Sequence, residues 1–207
     1  MKLTIAKKII LVAVTGMVAS SVIILCISTI LMNGLHNRTM LEDMYAMQSL
    51  VAKTQKQEES RLANDINILS TMPELVTAVS EQDIPNVREL ARFFLRQLGL
   101  DSVVITDANG IVLARGHSDL AGDDFSHRST WKAARRGEIK AGILYDTNAV
   151  IPYTIRCDAP IYKDGAMVGV ISLAMNIGSE EYVDNMHDMT GMHFTLFKEN
   201  IRYMTSI

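Results

Sequence analysis

Between Ile9 and Met32 the chain runs for 24 residues without a charged side chain, IILVAVTGMVASSVIILCISTILM. As a helix this stretch is roughly 36 Å long, enough to cross the ~30 Å hydrocarbon core of a bilayer with some tilt. Residues on its two sides are then held in different compartments, so it constrains the fold more than anything else in the sequence. Lys2, Lys7 and Lys8 precede it with no acid among them. The excess of positive charge places residues 1–8 in the cytoplasm, 9–32 in the membrane and everything from residue 33 outside. The apolar core is longer than that of a secretory signal and no small-residue cleavage pattern follows it, so the segment reads as an uncleaved anchor.

The exported part carries 17 basic and 23 acidic residues, a formal net charge of −6. A surface of that sign repels a phosphate backbone and argues against nucleic acid as a partner. The two cysteines make no disulfide framework: Cys26 lies in the apolar run and Cys157 in an expected strand, where it reads as a small core residue. The 13 methionines form no M-x-x-M run and are taken as helix and core filler rather than copper ligands.

Asn33–Ser70 contains no proline and one glycine and is rich in helix formers, which predicts one long stalk helix. Leu41, Met44, Gln48, Val51, Gln55, Glu58, Leu62, Asp65 and Leu69 follow one another at spacings of three and four, a heptad-like row with a polar middle. Two uses of the row stand side by side: packing of the stalk on its own domain, and a parallel homodimer seam. Pro73 should interrupt the helix. A short helix over Glu74–Ser80 and another from Ile84, ended by Gly99, complete a helical lead-in over residues 33–97.

Val103–Gly116, VVITDANGIVLARG, then reads as two short strands joined by an Asp-Ala-Asn-Gly turn. A second hairpin, Ala159–Leu173, turns at Lys163-Asp164-Gly165. With strands at Gly142–Asp146 and Pro152–Ile161, these predict an antiparallel sheet of about five strands. A short helix, Trp131–Gly137, sits inside the polar insertion Gly116–Asp146. Ser179–Met189 should be an exit helix capped by Ser179, and His193–Lys198 with Ile201–Ile207 a further hairpin around Glu199-Asn200. The fold class is α+β, with a transmembrane helix, a stalk helix and then a sheet domain with flanking helices.

In their order, VVITDANGIVLARGH, the GDDFS loop, DAPIYKDGAMVGVISLAMNI and TGMHFTLFKENIRYMTSI resemble the extracytoplasmic double Cache sensor region of bacterial chemotaxis receptors, over nearly the whole chain. The resemblance implies a membrane-distal PAS-like lobe over residues 98–178, then a connecting helix and the opening of a membrane-proximal lobe over residues 179–207, the N-terminal portion of a receptor. It also implies a periplasmic sensor in the inner membrane, a homodimer, no catalysis and no cofactor. The sensor region of a histidine kinase or cyclic-dinucleotide enzyme is the alternative output, and a membrane-anchored periplasmic enzyme or interaction subunit the alternative class.

The densest polar cluster is Arg115, His117, Asp119, Asp123, Asp124, His127 and Arg128. Its H-x-D-x3-D-D-x2-H spacing matches neither a helical zinc pair nor a calcium loop, and no nucleophile elbow accompanies its serines. Recognition of a small anion fits better. Arg128 and Arg156 are forked donors suited to a carboxylate, Trp131, Tyr145 and Tyr153 offer flat walls, and His117 can donate or accept. With Arg115 and Asn176 these residues make up the expected site. The resemblance places the pocket between the sheet and the insertion. Yet Arg128 is separated from Trp131, Lys132 stands where the amino-acid-binding pattern has tyrosine, and Asn176 stands where it has aspartate. A small organic acid is therefore favoured over an amino acid. The same residues have plainer uses: Arg115 pairing with Asp119 or Asp124 to pin the loop, Trp131 plugging the core, and the tyrosines serving as strand residues.

Overall fold

The computed structural model describes residues 5–146, 151–198 and 200–206. The first helix, α1 (Ile5–Ser70), is unbroken from the apolar run through the stalk. The chain divides into two compact units at Leu50 and Val51.

In the first unit Met17, Ile24, Leu25 and Ile30 stand exposed along α1. In the stretch beginning at Gly16 an 18-residue window has mean hydropathy 2.1, and none of it is buried. Ser20 and Ser21 donate to the Met17 carbonyl and Thr29 to that of Leu25, at 2.8–2.9 Å. Satisfying polar groups inside the helix in this way is what a hydrocarbon environment demands. Among the described residues α1 is the helix long and apolar enough to cross a membrane.

The second unit begins on the C-terminal part of α1. Pro73 stops that helix and starts α2 (Pro73–Ser80), since a proline without an N–H is tolerated in a first turn. Asp83 caps α3 (Ile84–Leu98) by accepting from the Asn86 N–H, and Gly99 is its C-cap. Then come β1 (Ser102–Asp107), β2 (Val112–Arg115), α4 (Ser129–Arg135), β3 (Lys140–Tyr145), β4 (Tyr153–Lys163) and β5 (Ala166–Asn176). The five strands form one antiparallel sheet in the order β2-β1-β5-β4-β3. The β4–β5 turn has φ of 52° at Asp164 and 80° at Gly165, the doubly left-handed geometry that suits a two-residue hairpin. Helix α5 (Glu180–Thr190), capped by Ser179, leads to the hairpin β6 (Thr195–Lys198) and β7 (Ile201–Thr205). Glu199, expected at that hairpin's tip, and Ile207 lie outside the described residues.

Alternation along the strands assigns the two faces of the sheet. Val103, Ile105, Ile155, Cys157, Ile161, Ile171 and Leu173 are fully buried against Leu62 and Ile66 of α1, Leu75 of α2 and Val87 and Phe94 of α3. Each large apolar side chain so buried contributes roughly 1.5–3 kcal/mol. Cys157 belongs to this core, and burial pushes its thiol up to about 12, so it is an inert packing group. The other face carries Val104, Val112 and Val170, covered by Phe125, Trp131 and Ala134, and with them the buried polar residues Ser102, Thr106, Thr154, Arg156, Asp158 and Ser172.

The heptad-like row of α1 divides along its length. Leu62 is buried in the domain's own core and Leu69 packs against it, because the end of α1 must cover the sheet. Leu62 is therefore unavailable to a second copy, and Leu69 is partly taken up by its own domain. Leu41 and Met44, at 53% and 51% exposure, remain open.

Gly169 faces β1 so closely that an added Cβ would collide with the Thr106 carbonyl and come within 2.8 Å of the Val79 side chain. Gly169→Ala should cost about 1–3 kcal/mol, whereas Gly142→Ala, with nothing within 4 Å of the new atom, should change stability by less than ~0.5 kcal/mol. Thermal unfolding of the two variants checks the contrast.

Candidate functional site

The insertion after β2 lies over the polar face of the sheet and is held there by three devices. Arg115, at the end of β2, grips Asp123 through both carboxylate oxygens at 2.7–2.8 Å and donates a third bond to the Leu120 carbonyl at 2.7 Å. The Phe125 N–H donates to the Gly110 carbonyl, and the Phe125 ring sits on Val104 and Val112. From the helical layer, Arg92 of α3 reaches Asp119 at 2.6 Å. The expected partners of Arg115 were Asp119 and Asp124. The fork instead meets Asp123, whose carboxyl it holds below the usual carboxylate range, while Asp119 pairs with Arg92 and Asp124 accepts from the Ser126 N–H.

Two hollows, of about 450 and 410 Å³, lie between sheet and insertion and share Arg128, Ile151 and Arg156. The first opens between the start of α4 and the end of β3, against Thr130, Leu144, Asp146 and Thr154. The second lies beneath the insertion, against Ser102, Arg115, His117 and Phe125.

Their shared cations are arranged around one ring. The Arg128 guanidinium lies 4.1 Å from the Phe125 centroid and that of Arg156 5.8 Å from it, within the range of cation–π attraction. Arg128 also meets Asp146 at 3.3 Å, while its buried Nε has no hydrogen-bond partner among the described residues. Arg156 is 6% exposed and donates from Nη1 to Ser172 Oγ at 3.2 Å. Burial lowers its pKa, opposed by the neighbouring Asp158, but a guanidinium starts high enough to stay charged. His117 is held below its ordinary value by burial and then by Arg115 and Arg156. The arrangement offers forked donors and an imidazole to an anion and supplies no paired nucleophile and base.

Of the eight expected site residues, Arg115, His117, Arg128, Arg156 and Tyr145 line these hollows. Trp131 does not: it is 1% exposed and donates from Nε1 to Thr106 Oγ1 at 3.1 Å, plugging the core beneath α4. Tyr153 is odd-numbered on β4 and so lies on the helix-covered face, in tilted ring contact with Tyr145 and Tyr203 and donating its hydroxyl to the Phe197 carbonyl. Asn176 is spent on a turn, its Oδ1 accepting from the Gly178 N–H at 2.9 Å. Sequence reasoning missed Phe125, Thr130, Thr154 and Asp158. The signal was present in TIRCD, since polar residues two apart in an otherwise apolar strand mark its other face.

A family model described as single Cache domain 3 matches residues 47–190, well over half of the chain. The chain belongs to the single Cache domain 3 family. The Cache resemblance read from the sequence stands, and the matching model covers one lobe ending at Thr190, before β6. No protein of curated function matches this Cache chain. Among solved structures it is similar to the sensor domain of the V. cholerae histidine kinase DctB, with TM-score 0.62 and 14% identity over 82% of this chain and 66% of that one. The E. coli DcuS sensor domain matches with TM-score 0.54 and 15% identity, over 68% of this chain and 99% of that one. The ligand-binding domain of the Campylobacter jejuni chemoreceptor Tlp3, in complex with 4-methylisoleucine, matches with TM-score 0.53 and 18% identity, over 80% and 67%. At these identities the likeness establishes the fold alone, a Cache fold.

Because the folded Cache domain disfavours protonation of His117 relative to the unfolded chain, this residue's contribution to stability is complete above pH ~6.5 and is lost as the pH falls through that value toward its lowered folded pKa. The melting temperature of wild type minus that of His117→Gln should therefore decrease between pH 7.5 and 5.5. A difference that is flat across this window would mean that burial and the two arginines do not disfavour the charged imidazole.

Proposed function

We propose that this chain is the ligand-sensing, extracytoplasmic part of a membrane-anchored receptor, and that it binds a small molecule through a carboxylate seated on Arg128 and Arg156 and bordered by His117. The observation that carries the reading is the convergence of these groups about Phe125 in a hollow of ligand size. A carboxylate there replaces water around two desolvated forks with charge-assisted bonds. Occupancy is passed to the membrane through α1, which is continuous from the sheet's core into the apolar run. The residues before Ile9 are cytoplasmic, the sheet periplasmic and the membrane the inner one. A chemotaxis receptor is the output we favour, and the likeness to DctB and DcuS supports a histidine kinase as the second reading.

The folded chain should show a ligand-induced rise in melting temperature with members of a panel of organic acids and amino acids. Arg156→Ala or Arg128→Ala should weaken the best hit about 30–1000-fold, from roughly 2–4 kcal/mol for a lost forked contact. Lysine at either position should restore it only in part, since an ammonium lacks the planar fork. Hits confined to cations or purines would remove the carboxylate from the site.

We propose further that the receptor is a parallel homodimer joined along the exposed part of the α1 row. In a Cys26→Ser background, Leu41→Cys should crosslink in membranes, while Leu62→Cys should not, because that side chain is fully buried in its own core. Absence of any Leu41→Cys crosslink would argue against the seam.

A further inference from the structure

Helix α5 ends on two imidazoles set face to face. His187, in its last turn, and His193, just ahead of β6, have ring planes 8° apart and centroids 4.7 Å apart. Each ring is tied through Nδ1 to a backbone carbonyl, His187 to that of Met192 at 2.9 Å and His193 to that of Ser206 at 3.3 Å. A carbonyl only accepts, so each Nδ1 carries the proton and each neutral ring keeps its lone pair on Nε2. Neither Nε2 has a protein partner among the described residues. An imidazole held by Nδ1–H on a carbonyl, with Nε2 open, is oriented as metal-binding histidines are.

The third donor is a thioether. Met186, Met189 and Met192 recur three apart around these histidines, so the reading that the methionines form no M-x-x-M run does not hold in this segment. The structure separates the three. Met186 is 4% exposed, and the Met189 sulfur meets Thr54 Oγ1 of α1 at 3.9 Å. Met192 instead stands 44% exposed in the link between the two histidines. Among the described residues no three His, Cys, Asp or Glu side chains gather as a harder ion would need, and two imidazoles with one thioether suit a soft monovalent ion. The last carbonyls of α5 add a negative field, as does Asp184, three residues before His187 on the same side of the helix. Parallel rings cannot aim both lone pairs at one ion, so His193, exposed and on the longer of the two hydrogen bonds, has to tilt.

We propose that His187, His193 and Met192 form a binding site for copper(I), separate from the arginine pocket and independent of its ligand. An ion there joins the end of α5 to the base of the β6–β7 hairpin, where His193 meets Ser206. A two-stranded sheet is marginal by itself, so the ion stiffens it. The test uses the full chain in detergent, carrying Cys26→Ser so that no exposed thiol competes. Silver(I) in chloride-free buffer is the probe, an ion of similar softness that undergoes no redox change. Calorimetry should show binding at micromolar concentration that His193→Gln and Met192→Leu each weaken about 10-fold or more, that Met189→Leu leaves unchanged, and that exceeds the binding of zinc(II). Nitrogen-15 spectra should place the ion on Nε2 of two of the five histidines, with their Nδ1 still protonated, a readout that needs no variant. Silver(I) affinity unchanged in His193→Gln, an ion-induced shift at Nδ1 or at other histidines only, no binding at micromolar concentration, or tighter binding of zinc(II) would each overturn the assignment.

Discussion

Everything at this site depends on the two-residue period of a strand covered on both sides. On β4, Ile155, Cys157 and Ile161 go to the helical layer, and that obliges Thr154, Arg156 and Asp158 to face the insertion. A one-residue slip would put a guanidinium and a carboxylate into the core against Leu62 and Phe94, at a desolvation cost far beyond what the fold could offset. The hydrophobic register that builds the domain thus also places its charges, with no element dedicated to the pocket alone.

The second dependence is on the insertion, which would be a solvated loop without its ties. Arg115 closes a ring from the end of β2 through Asp123 and the Leu120 carbonyl, and Phe125 extends the second core cluster. Phe125 therefore does two things at once. One side completes the packing over Val104 and Val112, and the other presents a π face to Arg128 and Arg156. Packing and the placing of the two cations thus share one residue of the core cluster that Trp131 and Ala134 complete.

Much of this was legible in order along the chain. The uncharged run from Ile9, the proline at 73, the two turn-flanked hairpins and the glycine after α3 are local signals, and local signals determine helices, turns and strand number because the chemistry that sets them lies within a few residues. Arg115, His117, Arg128 and Arg156 were likewise visible, as donors too polar for ordinary core positions.

What the chain order could not decide is which side chains meet. Trp131, Tyr153 and Asn176 have the right chemistry for a pocket, yet one is sealed into a core, one lies on the other face of β4 and one caps a turn. Asp158, hidden in a strand, was not singled out at all. Leu62 and Leu69 repeat as a coiled-coil seam would, and tertiary packing assigns them inward. A residue type states what it can bond, and a spacing states which neighbours share its face. Only the folded sheet, by bringing β4, β2 and the insertion within a few ångströms across long separations, decides which of those bonds are made.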